Sequence, residues 1–298
     1  MTTYALTLIT NLDHGPLTEQ HVDMVCARLN IVCKPDWLAK NEACELIFCS
    51  DLSAMQITVE GQKTLQGTAI DAVCTLAKSR RKKLLVCDMD STIIDQECID
   101  EIGDAIGQGA EIREITAKVI NGTMNFSKAL RRRVALLKGL EVLALEKVYN
   151  ERISIKNGAR TLVQTMRKNG AHCVLVSGGF TYFTSRIAKS IGFHDHQANE
   201  LLVEAGKLTG VVKEPILGRS AKLSILQSLC TKNGLAMSEI LTVGDGANDI
   251  EMIKAAGLGV AFHGSKLLCE QAKAAINHAD LTALLYIQGF KKSEFVYS

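Results

Sequence analysis

The chain is 298 residues long, 47% hydrophobic and 22% charged, with a formal net charge of +2. That length suits roughly two domains with enough apolar material for a sizeable core. So small a charge, with only 5% aromatic residues, argues against nucleic acid or acidic membranes as partners. Ten scattered cysteines contain no C-x-x-C pair, so reduced thiols in a cytoplasmic protein are expected rather than a disulfide framework. The apolar stretch Tyr4–Ile9 carries neither a basic leader nor a small-residue cleavage site. No apolar run approaches the ~18 residues of a membrane span.

In chain order, Tyr4–Ile9 reads as a strand, Thr18–Leu29 as a helix, Glu45–Cys49 and Met55–Val59 as strands, and Ala69–Lys78 as a helix. These elements predict a small α+β module over residues 1–79 with no catalytic cluster. Its order resembles the ACT type of regulatory domain, which implies a regulatory or dimerising role and a homodimer as a candidate assembly. Lys78-Ser79-Arg80-Arg81-Lys82-Lys83 is a charge run expected to be a solvated linker.

From residue 80 to 298 the pattern changes. Leu84–Cys87, Cys173–Val176, Ile240–Val243 and Leu258–Phe262 are short apolar runs separated by helical segments. Such alternation predicts an α/β domain, a doubly wound parallel sheet of Rossmann-like kind with helices on both faces. Between the first two runs, residues 98–150 are far more than a crossover needs, and predict a helical cap over the strand ends.

Three of these runs end in unusual polar residues. The first meets Asp88 and Asp90, the second Ser177-Gly178-Gly179, and the third Gly244-Asp245-Gly246-Ala247-Asn248-Asp249. Parallel strands gather their C-terminal ends at one crevice, where open α/β sheets bind ligands. Lys222 lies on the segment leading to the third run. Several carboxylates and a lysine form an oxygen-rich site suited to Mg²⁺. Glycines beside a serine let backbone N–H groups approach an anion closely. A metal, a lysine and amide donors around one point describe a phosphoryl-binding site.

Taken in order, Asp88-Met89-Asp90-Ser91-Thr92, Ser177-Gly178-Gly179, Lys222 and Gly244-Asp245-Gly246-Ala247-Asn248-Asp249 resemble the haloacid-dehalogenase superfamily of aspartate-nucleophile phosphohydrolases. Within it, the chain is similar to the branch that hydrolyses O-phospho-L-serine at the last step of serine biosynthesis. The resemblance implies that Asp88 attacks phosphorus and forms an aspartyl-phosphate, while Asp90 acts as acid and then base. It implies that Mg²⁺ is held by the side chains of Asp88 and Asp245 and the carbonyl of Asp90, with Asp249 behind them. Ser177, the Gly178 amide and Lys222 are implied to bind the phosphoryl oxygens.

For the substrate, the resemblance assigns Glu97 to an ammonium group and Arg133 to a carboxylate, with Phe126 and Asn248 also in contact. A guanidinium fork pairs well with a carboxylate, and Glu97 supplies the opposite charge. Phe126 and Arg133 are seven residues apart, about two helical turns, and can share a face. An aspartate at position 90 favours hydrolysis over a lasting phosphoenzyme. Three alternatives stay open: transfer of the phosphoryl group to another small alcohol, hydrolysis of a different small phosphorylated metabolite, and a silent regulatory protein that senses amino acids.

Two further stretches imitate known sites. Gly259-Val260-Ala261-Phe262-His263-Gly264-Ser265-Lys266 has serine and lysine in the wrong order for a P-loop and better fits a strand and turn. His194-Asp195-His196 lacks a third metal ligand nearby and is expected to be a surface loop.

Overall fold

A computed structural model describes residues 1–120 and 123–297. The chain begins with β1 (Thr2–Thr10), α1 (Glu19–Leu29), β2 (Asp36–Ala39), β3 (Ala43–Ser50), α2 (Ala54–Thr64) and β4 (Ile70–Leu76). The strands form an antiparallel sheet in the order β2-β3-β1-β4, the split βαβ arrangement. Leu6, Leu8, Leu46 and Ile70 line one face and bury α1 and α2 through Val22, Val25 and Ile57.

Two of the expected elements here are exchanged. Met55–Val59 lies in helix α2, because Ser53 opens it with a capping box: Ser53 Oγ accepts the Gln56 N–H and Gln56 Oε1 accepts the Ser53 N–H. Residues 69–78 contain strand β4, not a helix. Both faces of β4 are buried, Ile70 and Cys74 toward the helices and Val73 toward the rest of the protein, so polar alternation is missing from its sequence.

The remainder is built on β5 (Leu84–Cys87), followed by α3 (Cys98–Ala105), α4 (Gly109–Ile120), α5 (Phe126–Ala135), α6 (Val142–Arg152) and α7 (Ala159–Lys168). Next come β6 (His172–Phe180), α8 (Thr181–Ile191), β7 (Asp195–Asn199), and the hairpin β8 (Leu201–Glu204) and β9 (Lys207–Val212). The chain closes with α9 (Arg219–Asn233), β10 (Ile240–Gly244), α10 (Ile250–Ala255), β11 (Leu258–Phe262), α11 (Lys266–Gln271), β12 (Ala274–Ile276) and α12 (Ala283–Ile287).

A six-stranded sheet runs in the order β12-β11-β10-β5-β6-β7, with parallel neighbours throughout. Leu84 to Cys87 are fully buried on both faces, which explains a strand without polar alternation. The chain leaves β5 toward β6 and later returns to place β10 on its other side. The switch point therefore lies beside the end of β5, where ligands of such sheets bind. Cys87 pairs with Val243 on one side and Leu175 on the other, so the three strands deliver their following residues to one place.

Helices α3 to α6 occupy the long insertion. The hairpin steadies it, since Gly139 N–H donates to Leu208 O and Leu208 N–H to Leu140 O, each at 2.8 Å. The histidine stretch departs from a surface loop: Asp195 and His196 start edge strand β7. His194 Nδ1 accepts the Cys173 N–H at 3.0 Å, and His196 Nδ1 is hydrogen-bonded to Thr184 Oγ1 at 3.0 Å. In the P-loop imitation, β11 is followed by Ser265, which caps α11.

The second face of the N-terminal sheet, with Ile9, Ala43 and Val73, joins the same apolar cluster as Leu281, Leu284 and Leu285. Polar contacts reinforce it. Asp71 accepts backbone N–H groups from Asn277, His278 and Ala279 at 2.8 to 3.0 Å. Within the charge run, Arg80 is not a solvated side chain: its guanidinium folds back onto Glu45 with both terminal nitrogens, and Glu45 is 4% exposed. Among the described residues, no helix is long and apolar enough to cross a membrane.

Candidate active site

Asp88 is the first residue beyond the buried β5 run, and its N–H still donates to Val243 O at 3.0 Å. The strand register therefore fixes its position. Lys222, in the first turn of α9, sends Nζ to Asp88 Oδ1 and Asp249 Oδ1, both at 2.7 Å. Lys222 is 1% exposed and Asp249 is fully buried. Burial works against the ammonium, but the Asp249 and Asp88 carboxylates outweigh it and hold the lysine pKa above its usual value. Gly244 is what lets Asp249 tuck beneath β10: a Cβ there would lie 2.4 Å from the Asp249 carboxyl carbon.

Asp90 is held at both carboxylate oxygens. Oδ1 accepts the Cys98 N–H at 2.8 Å, at the first turn of α3, and Oδ2 accepts the Ser177 hydroxyl at 2.9 Å. Ser177 Oγ in turn accepts the Gly179 N–H at 2.8 Å. Burial, then the nearby charge of Asp88, pushes the Asp90 carboxyl above its ordinary range. A proton is thus easier to keep on Asp90 than on an exposed aspartate. A side chain at position 179 would meet Asp90 Oδ2 at 2.9 Å, so glycine is needed for the approach of β6.

Asp245 follows β10 and its Oδ1 accepts the Thr92 hydroxyl at 3.0 Å. Burial and then Asp88 push its carboxyl up to about 6. Carboxylate oxygens of Asp88, Asp245 and Asp249 lie within 4.8 Å of one another. Among the described residues, Lys222 alone opposes this charge at direct contact. Clustered hard oxygens with so much uncompensated buried charge fit a divalent cation.

From the insertion, Glu97 stands at the N-cap of α3 and accepts the Ser91 hydroxyl at 3.0 Å. Ser91 holds the left-handed conformation, φ +55°, in the turn that brings the two together. One side of Glu97 stays open to solvent, while enclosure of the other and the charge of Asp90 push its carboxyl upward. The arginine triplet resolves cleanly. Arg131 is exposed and paired with Glu214, Arg132 is exposed, and Arg133 is buried at 8% with Nη1 donating to Thr116 Oγ1. The Phe126 ring lies against the Gly178 and Gly218 backbone, where added Cβ atoms would approach to 3.2 Å. It is the contact by which α5 closes onto the strand ends. Asn248 sits half-buried in the turn after β10 and makes no side-chain hydrogen bond to the carboxylates among the described residues.

The family model described as haloacid dehalogenase-like hydrolase matches residues 85–254. The chain belongs to the haloacid dehalogenase-like hydrolases. A phosphoserine phosphatase of Archaeoglobus fulgidus is 41% identical over 206 residues, which cover 69% of this chain and 60% of the relative. The chain thus spans less than two thirds of that relative's length. A phosphoserine phosphatase of Streptomyces coelicolor is 33% identical over 298 residues, 98% of this chain and 72% of the relative. Among solved structures, a HAD family hydrolase from Salmonella enterica serovar Typhi superposes with a TM-score of 0.87 at 23% identity, covering 99% of this chain and all of that one. A phospho-aspartyl intermediate analogue of phosphoserine phosphatase superposes at 0.65 with 38% identity, over 69% of this chain and 98% of that one.

In this haloacid dehalogenase-like hydrolase, several side chains around the crevice carry no motif. Thr92 fixes Asp245. Asn199, 3% exposed, donates to Gly178 O and Leu217 O and accepts the Leu217 N–H, tying the two loops that meet Phe126. Single buried amides and hydroxyls have no spacing signature. The only local signal for Asn199 is a polar residue at the end of a strand.

Proposed function

We propose that this enzyme is a Mg²⁺-dependent phosphoserine phosphatase, which releases L-serine and inorganic phosphate from O-phospho-L-serine through an aspartyl-phosphate on Asp88. The observation that carries the hydrolytic chemistry is the placement of Asp90, pinned at both oxygens beside Asp88 and with its carboxyl pKa raised. A carboxyl group so placed can give and take a proton at the reacting oxygen.

An Asp88 carboxylate oxygen forms a bond to phosphorus as the ester P–O bond breaks. The proton on Asp90 passes to the departing serine oxygen. A water oxygen then bonds to phosphorus, its proton returns to Asp90, and the bond to Asp88 breaks. Lys222 steadies the charge on Asp88 and the transferring oxygens, and Ser177 with the Gly178 amide completes the cradle. Asp88 and Asp245 would hold Mg²⁺ with the Asp90 carbonyl, and Asp249 would fix Lys222. When bound, the cation offsets repulsion between a phosphate dianion and an anionic nucleophile.

Substrate choice is assigned to the insertion. Arg133 is the one inward-facing member of its triplet and suits the substrate carboxylate, while Glu97 suits the ammonium. The curated relatives named phosphoserine phosphatase support this choice. The ten unpaired thiols suit a reducing, cytoplasmic setting. Phosphate release across a panel of small phosphomonoesters, with and without Mg²⁺, tests the proposal. Strong preference for O-phospho-L-serine is expected. Equal turnover of sugar phosphates would remove the substrate claim while leaving the phosphatase chemistry intact.

A further inference from the structure

Two buried polar atoms of the insertion lack a hydrogen-bond partner. Arg133 Nε on α5 and Asp100 Oδ1 on α3 are both enclosed, and neither has a hydrogen-bond partner among the described residues. Among the described residues, the guanidinium has one hydrogen bond, Nη1 to Thr116 Oγ1 on α4 at 3.2 Å. Asp100 is the opposite charge that acts most strongly on Arg133, and Arg133 the one that acts most strongly on Asp100. The other nearby cation, Arg113, already has its Nη1 on both oxygens of Asp104, at 2.8 and 3.0 Å. Helix capping does not explain Asp100 either. It is the third residue of α3, yet that helix start has no side-chain cap hydrogen bond.

An enclosed guanidinium N–H and an enclosed carboxylate oxygen are both costly when left unmatched. One movement satisfies the two together: approach of α3 toward α5, which brings Oδ1 onto the Nε–H. Thr116 and Asp100 then hold the guanidinium along two edges, and the Nη2 edge is left to face a ligand. Glu97 lies one helical turn before Asp100, on the same side of α3.

We propose that Asp100 is a positioning residue which, with Thr116, aims Arg133 at the substrate carboxylate. The inference rests on the proposed phosphoserine phosphatase activity and deepens it, because it names what sets the geometry of carboxylate recognition. Asp100 does not touch the reacting atoms.

The test compares O-phospho-L-serine with O-phosphoethanolamine, which lacks the carboxylate, in the intact chain and in Asp100→Asn, Asp100→Glu and Thr116→Val. In Asp100→Asn, KM for phosphoserine should rise about tenfold with kcat changed little, the worth of one charged hydrogen bond. The kcat/KM for phosphoethanolamine should stay close to that of the parent. Asp100→Glu should recover part of the loss, and Thr116→Val should show the same split between substrates. In an Arg133→Ala background, Asp100→Asn should have no further effect on discrimination. Equal losses on both substrates, or unchanged discrimination in Asp100→Asn and Thr116→Val, would overturn the inference and leave the phosphatase proposal standing. If the parent enzyme does not distinguish the two substrates, the substrate proposal itself fails and takes the inference with it.

Discussion

Asp88 and Asp90 are separated by a single residue, Asp88 buried and Asp90 half-buried, and their surroundings give them different chemistry. Asp88 meets a buried ammonium at 2.7 Å. Asp90 meets only neutral donors and the charge of Asp88, which favours its protonated form. Asp90→Asn should slow turnover of phosphoserine about 10²- to 10⁴-fold. An aryl phosphate, whose leaving group needs no proton, should still phosphorylate that variant, giving a burst of phenolate before a slow steady state. Stopped-flow absorbance reads this directly, and absence of a burst would remove Asp90 from the second step. Gly179→Ala places a methyl group 2.9 Å from Asp90 Oδ2 and 3.0 Å from Ser177 Oγ. It should reduce kcat more than it raises KM, measured by steady-state kinetics.

At the scale of elements, three parallel strands end together, and two of them, β5 and β10, bring their carboxylates into one place. Asp245 titrates at about 6 in the folded protein and near 4 when unfolded. The native state therefore holds an extra proton between those values. Without a cation, stability falls as pH rises from about 4 through about 6, and Asp249, also raised by burial and Asp88, acts in the same sense. Lys222, with its pKa raised, contributes stability that stays constant until pH passes its unfolded value of about 10. A divalent cation needs the deprotonated carboxylates. The rise in Tm produced by Mg²⁺ should be small at about pH 5 and grow toward about pH 7.5, as followed by thermal melting with and without the ion. A rise in Tm that does not change with pH would contradict this account.

These strands were legible from their apolar runs because each is buried on both faces, and the carboxylates stood out because they end such runs. The same property hides β4, which carries no polar alternation and so reads as a helix in sequence. In Met55–Val59, local β-branched residues suggested a strand, but the Ser53 and Gln56 capping box starts a helix there. Thr92, Thr116 and Asn199 are not legible. Each acts through one or two contacts with residues distant in sequence, and only the tertiary fold makes those contacts.

For the molecule as a whole, the N-terminal sheet is docked rather than tethered. One face packs on α1 and α2, and the other shares an apolar cluster with the C-terminal helix α12. Arg80 and Glu45 seal this junction, with side-chain exposures of 14% and 5%. Removing one partner of so enclosed a pair leaves the other uncompensated, so Arg80→Ala should cost about 3 kcal/mol. Urea unfolding should show a lower midpoint, while kcat changes little because no catalytic side chain touches the pair. The charge run that holds Arg80 resembles a solvated linker in sequence, since five of its six residues are basic and only the fold shows that Arg80 turns onto Glu45.

The central claim is that Asp88 carries the phosphoryl group in transit. Asp90→Asn incubated with an aryl phosphate and Mg²⁺, quenched in acid and digested, should yield the peptide spanning Asp88 with one added phosphoryl group. Mass spectrometry should place that group on Asp88 itself, and the Asp88→Asn variant should carry none. Turnover by the parent enzyme with no covalent phosphate at Asp88 under these conditions, or phosphate on another residue, would contradict the account.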